Sequence, residues 1–114
     1  MYSPKQGDIV LLEFEPTAWH EKKETHLVVV VSNQTFNAYT KLAMVCPIKE
    51  EAKDSPLHIS LPEESEVSGT ILCEQLKSLN IVDRNPKWMG KVSASVLAEV
   101  VDIAIGSVEI EESL

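Results

Sequence analysis

The chain has 114 residues, of which 44% are hydrophobic and 25% are charged, and these fractions are typical of one globular domain spanning residues 1–114. Ten Lys and Arg against eighteen Asp and Glu leave a formal net charge of −8, which argues against tight, nonspecific binding of polyanions. Without an apolar stretch that could span a bilayer, and without a secretory pattern after Met1, the sequence predicts a cytoplasmic protein.

Short strand-like segments separated by turn signals make up most of the chain. The valine run Val28–Val31 indicates a strand buried on both faces, as in a barrel or at a dimer contact. Residues 33–40 are polar, with Phe36 and Tyr39 as candidate anchors, and Pro47 is expected to end the third strand. The predicted extended segments are 8–15, 26–32, 41–47, 57–61, 70–76 and 78–82.

The end of the chain changes to helical spacing. Apolar residues recur at helical intervals over 96–104, with Ser93 or Ser95 as the N-cap and 90–92 as an entry turn. Gly106 either ends this helix or lies within a continuation of it. The sequence therefore predicts a mainly β fold, a small closed or half-closed barrel followed by a C-terminal α-helix.

Two cysteines, Cys46 and Cys73, lie in apolar runs and lack the spacing of a CxxC motif. Isolated cysteines in such runs are most often reduced core residues. We therefore expect buried thiols rather than a zinc site, and the sequence indicates no other metal or cofactor.

The first candidate for chemistry is the polar loop that contains His20 and Glu21 and precedes His26. An imidazole exchanges protons near neutral pH, and a neighbouring carboxylate can orient it or raise its pKa. The spacing fixes no geometry, so the residues alone favour an ordinary polar loop. Trp19, in the same loop, can stack on a nucleic-acid base or pack at a core edge.

A second group of candidates lies near the predicted ends of two strands. Glu74 follows an apolar run, where a carboxylate is either paired with a cation, perturbed in pKa, or simply exposed. On a strand, Gln75 and Lys77 would share the opposite face. Lys49 follows Pro47 and is either a phosphate ligand or a surface lysine. His58 has no such context and is expected to face outward.

In order and spacing, these segments resemble the MazF/PemK family of toxin endoribonucleases. No single match is decisive, but all lie in register over residues 7–105. The matching segments are Gly7–Val10, Glu13–Thr17, His20-Glu21, Leu27–Ser32, Cys46–Ile48 and Gly69–Arg84, followed by Gly90–Val92 and the helix after it.

The resemblance implies an SH3-like β-barrel with a C-terminal helix, assembled as a homodimer. It implies metal-independent cleavage of single-stranded RNA, in which a ribose 2′-hydroxyl attacks the adjacent phosphate. An antitoxin with an acidic, initially disordered segment would occupy the RNA groove, and operator DNA would be reached through that antitoxin.

Carried over by position, the resemblance implies catalytic roles for His20, Glu21 and Glu74, with Glu74 as the base. His26 stands where the family has arginine, and Lys49 where it has threonine. Both replacements keep a protonatable or cationic group, so we expect His20 or His26 to be the acid and Lys49 and Lys77 to hold phosphate. The candidate catalytic residues are His20, Glu21, His26, Lys49 and Glu74; the candidate RNA-binding residues are Thr17, Trp19, Gln75 and Lys77.

These departures leave an alternative open, a catalytically degenerate member acting only as an antitoxin-binding or DNA-associated regulatory module. The negative net charge favours that alternative, and the retained His20, Glu21 and Glu74 favour the ribonuclease. The ribonuclease hypothesis requires the loop with His20 and His26 to lie beside Glu74 and Lys49, in one cationic notch.

Overall fold

The computed structural model describes residues 2–16 and 22–112. Its strands are β1 Asp8–Phe14, β2 Glu24–Val30, β3 Ala43–Lys49, β4 His58–Ser60, β5 Thr70–Leu72, β6 Lys77–Leu79 and β7 Lys87–Lys91, and its α-helices are α1 Gln34–Thr40 and α2 Ala94–Val108. The strands form one antiparallel sheet in the order β4-β5-β3-β2-β1-β7, with β6 also paired to β3. The sheet curls into a half-barrel followed by α2, which confirms the predicted fold class.

The valine run of β2 is buried on both faces of the sheet, as predicted, because alternate residues of a strand point to opposite sides. Val29 and Val31 enter a core that also contains Val96 and Val100 of α2. Val28 and Val30 enter a second core on the other face, together with Val10, Leu12, Ala43, Val45 and Ile81. The central strands are thus fixed from both sides, and the second core leads to the candidate site.

The polar segment 33–40 forms helix α1, which was not expected from its composition. Asn33 caps it by accepting a hydrogen bond from the Phe36 amide, and Lys41 ends it in the left-handed conformation, with φ of 65°. Tyr39 is 90% exposed and is not an anchor, whereas Phe36 is partly buried. Capping at both ends explains how a helix of only 7 residues forms here.

The prediction that Pro47 ends the third strand is wrong, because β3 continues to Lys49. Pro47 is paired with Val28 of β2 on one side. On the other side β3 pairs with β6 up to Val45 and with β5 from Ile48, so the ladder leaves a gap at Pro47. A residue without an amide hydrogen is tolerated where no ladder bond is needed.

The predicted strand 70–76 is also interrupted. Residues Cys73–Gln75 form a 3-10 turn between β5 and β6, here called the Cys73–Gln75 turn. A second 3-10 turn, Val82–Arg84, follows β6, where an extended segment was expected. Strand β7, which pairs with β1, includes Gly90 from the segment predicted to be an entry turn.

Helix α2 begins and ends much as its sequence indicates. The Ser93 hydroxyl accepts a hydrogen bond from the Val96 amide, and the helix continues through Gly106 to Val108. The two cysteines are free and buried, as predicted. Within residues 2–16 and 22–112, no helix is long and apolar enough to cross a membrane.

Candidate active site

A cavity of about 480 Å³ opens at the edge of the second core, and we call it the basic cavity. Its position follows from strand alternation: His26 lies two residues before buried Val28 on β2, and Lys49 lies two residues after buried Pro47 on β3. The lining residues are Phe14, Glu15, Pro16, Glu24, His26, Val28, Pro47, Lys49, Gln75, Lys77 and Arg84.

Phe14 is the centre of a cationic cluster in this cavity. The Arg84 guanidinium carbon lies 4.5 Å from the ring centroid, and the Lys77 Nζ lies 5.7 Å from it. The His26 ring meets Phe14 edge-on, with centroids 4.9 Å apart. Cations are attracted to the negative face of an aromatic ring. The packing therefore holds Arg84 in place although its buried Nε has no hydrogen-bond partner among the described residues.

His26 is paired with a carboxylate on its own strand. Its Nε2 lies 3.2 Å from Glu24 Oε2, because residues two apart on a strand share a face. Both side chains remain accessible, with relative exposures of 38% and 43%. A carboxylate in this position orients the imidazole through a hydrogen bond. The pair provides a group for proton transfer beside the permanent cations of the cavity.

Lys49 reaches the cavity from the end of β3, and its backbone is held by Thr70 of β5. This pairing requires glycine at position 69, where φ is +142°. A Cβ at this position would lie 2.7 Å from Ile48 Cγ2 and 2.9 Å from the Lys49 carbonyl oxygen. Gly69 therefore lets β5 approach β3 and fixes the rim from which Lys49 extends.

The lining of the cavity also contains carboxylates. Glu15 and Glu24 line it, and Glu13 lies just outside, 2.9 Å from Asn85 Nδ2 and 3.6 Å from Lys23 Nζ. The hydrogen bond from Asn85 lowers the pKa of Glu13, and the charge of Lys23 lowers it further. Because Glu15 and Glu24 line the cavity, its affinity for an anion depends on the three permanent cations, Lys49, Lys77 and Arg84.

Part of the predicted site comes together in the structure. Four predicted residues line the basic cavity: His26, Lys49, Gln75 and Lys77. Glu74 does not line it; its Oε2 lies 3.1 Å from His58 Nε2 instead. Glu74 lies in a 3-10 turn rather than in the predicted strand, and its place beside Lys49 stays a prediction. Thr17, Trp19, His20 and Glu21 lie outside the described residues.

Two residues at these sites were not selected from the sequence. Arg84 is the only arginine in the chain, and this is the signal in the sequence that could have identified it. His58 was expected to face outward without partners, but its side chain is only 13% exposed and contacts Glu74. Its alternation with apolar neighbours on β4 was correctly identified, but the contact with Glu74 arises from the tertiary structure.

Comparison with known proteins identifies the family. Residues 5–105 match the family of PemK-like, MazF-like toxins of type II toxin–antitoxin systems. The match covers most of the chain, which therefore belongs to this family, as the sequence resemblance predicted.

Curated relatives and solved structures agree with this assignment. Endoribonuclease PemK of Escherichia coli is 28% identical over 100 residues, covering 84% of this chain and 75% of that protein. Endoribonuclease toxin ChpB of Escherichia coli strain K12 is 30% identical over 103 residues, covering 83% and 85%. A crystal structure of MazE-MazF (Form-II) from Deinococcus radiodurans matches with a TM-score of 0.84 at 32% identity, covering 96% of this chain and all of that one.

Proposed function

We propose that this protein is an endoribonuclease toxin that cleaves single-stranded RNA in the basic cavity. The observation that carries the proposal is the convergence of an imidazole and three permanent cations on one cavity, in a chain with a net charge of −8. A volume of about 480 Å³ is in the range of small-molecule sites and accommodates a nucleotide.

The reaction we propose is attack of a ribose 2′-oxygen on the adjacent phosphorus. The new 2′-O–P bond forms as the P–O5′ bond breaks, giving a cyclic phosphate and a 5′-hydroxyl end. One proton leaves the 2′-hydroxyl for a base, and one proton is delivered to the departing O5′. His26, oriented by Glu24, is the proton donor in this proposal, and Lys49, Lys77 and Arg84 stabilise the charge that develops on the phosphate oxygens.

Three residues are candidates for the base that accepts the proton of the 2′-hydroxyl. Glu74 matches the family position for that role, but its carboxylate is turned to His58 outside the cavity. His20 and Glu21, which follow β1 in the sequence and lie outside the described residues, remain predicted participants. Variants at each of these three positions test the assignment directly, because loss of the base lowers kcat without removing the cationic cluster that binds RNA.

The two departures from the family pattern support an active enzyme rather than a degenerate one. His26 replaces arginine and Lys49 replaces threonine, and both side chains line the same cavity. The guanidinium missing at position 26 has a counterpart in Arg84, which enters the cavity from the Val82–Arg84 turn. A chain that kept only antitoxin binding would have no need for a proton donor within this cluster.

We further propose that a cognate antitoxin binds at this cavity and that the toxin acts as a homodimer. Structural relatives were crystallised as MazE-MazF complexes, which shows the pairing for those proteins. An acidic peptide and the RNA phosphates would compete for the same three cations. Co-expression of the antitoxin should therefore restore growth and slow RNA cleavage.

The test of function is an end-mapped cleavage assay. Purified protein is incubated with RNA of varied sequence, and the fragments are sequenced and tested for 5′-hydroxyl ends. We expect H26A and K49A to reduce cleavage by about 10²-fold or more. K87A provides a matched control, because Lys87 is exposed on β7 and lies outside the cavity lining.

Substitution of single 2′-deoxy nucleotides in the substrate separates the proposed chemistry from other nuclease mechanisms. Cleavage at a given bond should stop when its own 2′-hydroxyl is removed. Full activity of both H26A and K49A, or cleavage that ignores the 2′-deoxy substitution, would contradict the proposal. Absence of both RNA cleavage and growth arrest in the wild type would favour the regulatory alternative.

A further inference from the structure

His58 and Glu74 form an ion pair outside the basic cavity. His58 lies on β4, opposite Leu72 of β5, and Glu74 lies in the turn that directly follows β5. The His58 Nε2 is 3.1 Å from Glu74 Oε2, and its Nδ1 is 2.6 Å from the Lys53 carbonyl oxygen. One ring thus connects the loop before β4 to the Cys73–Gln75 turn.

The two hydrogen-bond partners of the His58 imidazole determine its protonation state. A backbone carbonyl can only accept a hydrogen bond, so Nδ1 must carry a hydrogen. An ionised carboxylate can also only accept, so Nε2 must carry one as well. The geometry therefore requires the imidazolium form of His58 when Glu74 is ionised.

The electrostatics of the pair agree with this assignment. The hydrogen bond to Glu74 raises the pKa of His58, and the hydrogen bond to the Lys53 carbonyl raises it further. The hydrogen bond from His58 lowers the pKa of Glu74 in turn. Each group therefore stabilises the charged form of the other.

The Cys73–Gln75 turn carries this ion pair next to the basic cavity. Gln75 follows Glu74 and lines the cavity, while Cys73 is buried in the core beneath α2. A shift of Glu74 would move Gln75 along the cavity wall, because the two residues share a turn of only 3 residues. Small displacements of contacting groups reduce rates strongly.

We propose that His58, as an imidazolium, is a positioning residue that clamps Glu74 and thereby fixes Gln75 in the basic cavity. The catalytic consequence rests on the proposed function, whereas the clamp itself does not. His58 touches neither the substrate nor the reacting atoms in this proposal. Its effect is transmitted through the Cys73–Gln75 turn.

The two thiols near the pair stay protonated in the neutral range. Burial raises the pKa of the Cys46 thiol to about 12 and also raises that of Cys73, and the charge of Glu74 adds to both shifts. Glu99 of α2 is the acid that faces Cys73 from the helix. The change in protonation that breaks the clamp at alkaline pH is therefore that of His58.

The sign of the pH dependence follows from the two pKa directions. The stability contributed by His58 is complete below its unfolded-state pKa, near 6.5, and is lost as pH rises through its raised folded-state pKa. The stability contributed by Glu74 is present above 4.5 and is lost as pH falls through its lowered pKa. The ion pair between His58 and Glu74 is therefore intact from weakly acidic to neutral pH and is lost at alkaline pH.

The direct test is an NMR titration of the imidazole nitrogens. In the wild type, we expect His58 to titrate above the range of an unpaired histidine, with both nitrogens protonated at neutral pH. E74Q should lower the His58 titration point. E24Q should leave it unchanged and is the matched control, because it removes a carboxylate next to a different histidine. A His58 titration point in the range of an unpaired histidine, or a titration point that E74Q does not change, would overturn the proposal.

The activity arm compares wild type with H58Q, which keeps a hydrogen-bonding side chain but cannot carry the charge. We expect kcat to fall about tenfold at neutral pH, and the ratio of wild type to H58Q to approach one once His58 has titrated. A ratio that is constant with pH would indicate a merely structural role and would contradict the proposal. If the wild type cleaves no RNA, the proposed function fails, while the NMR titration still decides the clamp.

Discussion

The position of Arg84 over Phe14 predicts how R84Q changes the free energy of unfolding and the affinity for RNA. The substitution removes the guanidinium from the Phe14 face and leaves a shorter, neutral amide side chain. Loss of the cation–π contact, with centroid distance 4.5 Å, should lower the free energy of unfolding by about 0.5–1 kcal/mol. The larger effect should appear in RNA binding.

The magnitude for binding follows from the number of permanent cations in the cavity. Lys49, Lys77 and Arg84 can each neutralise one phosphate, and each neutralised phosphate of a single strand contributes about 0.7 to the salt slope. The plot of log affinity against log salt should therefore have a slope of about −2 for the wild type and about −1.4 for R84Q. Loss of a hydrogen bond to a charged group should weaken binding by about 10–100-fold at low salt.

The assay is fluorescence anisotropy with a 2′-deoxy-substituted oligonucleotide, which binds without being cleaved. R84K should keep the slope and lose part of the affinity, because lysine retains the charge but not the planar group that stacks on Phe14. K87A should match the wild type. An unchanged slope in R84Q would refute the reasoning, since it would mean that Arg84 contacts no phosphate.

Three further predictions concern the scaffold. G69A should be destabilised by about 1–3 kcal/mol in chemical denaturation, because alanine at φ +142° is strained and its Cβ meets β3; wild-type stability would contradict the close approach. V100A should lose about 2 kcal/mol through the methyl groups removed from a fully buried side chain, and a loss below about 0.5 kcal/mol would show that the core beneath α2 is loosely packed. Both thiols should resist a disulfide reagent at pH 8 until denaturant is added, because burial raises their pKa values, that of Cys46 to about 12; stoichiometric reaction of the native protein would be inconsistent with that burial.

The features predicted correctly from the sequence are those with a strong local signal. The valine run of β2 specifies a strand buried on both faces, and Ser93 marks the start of α2. His26 and Lys49 were placed near one another through the family resemblance, and strand alternation together with the pairing of Val28 with Pro47 directs both into one cavity.

The features that the sequence did not predict depend on distant partners. The continuation of β3 through Pro47 depends on the gap between β5 and β6, which no local pattern reveals. The cation–π contact of Arg84 with Phe14 joins residues that are far apart in the chain, and His58 meets Glu74 only after β4 and β5 have paired. Strand β7 contains Gly90, and a glycine weakens the strand signal.

The geometry of the Cys73–Gln75 turn has a practical consequence for anyone preparing a thiol-free or singly labelled form of the protein. A 3-10 turn has three residues per revolution, so its side chains leave the backbone about 120° apart. Cys73 therefore packs inward, Glu74 meets His58, and Gln75 reaches the cavity. Replacing Cys73 would therefore disturb the core contact, the ion pair with His58 and the cavity wall together. Replacing Cys46 alters a residue on the regular strand β3. Cys73 is the thiol to retain.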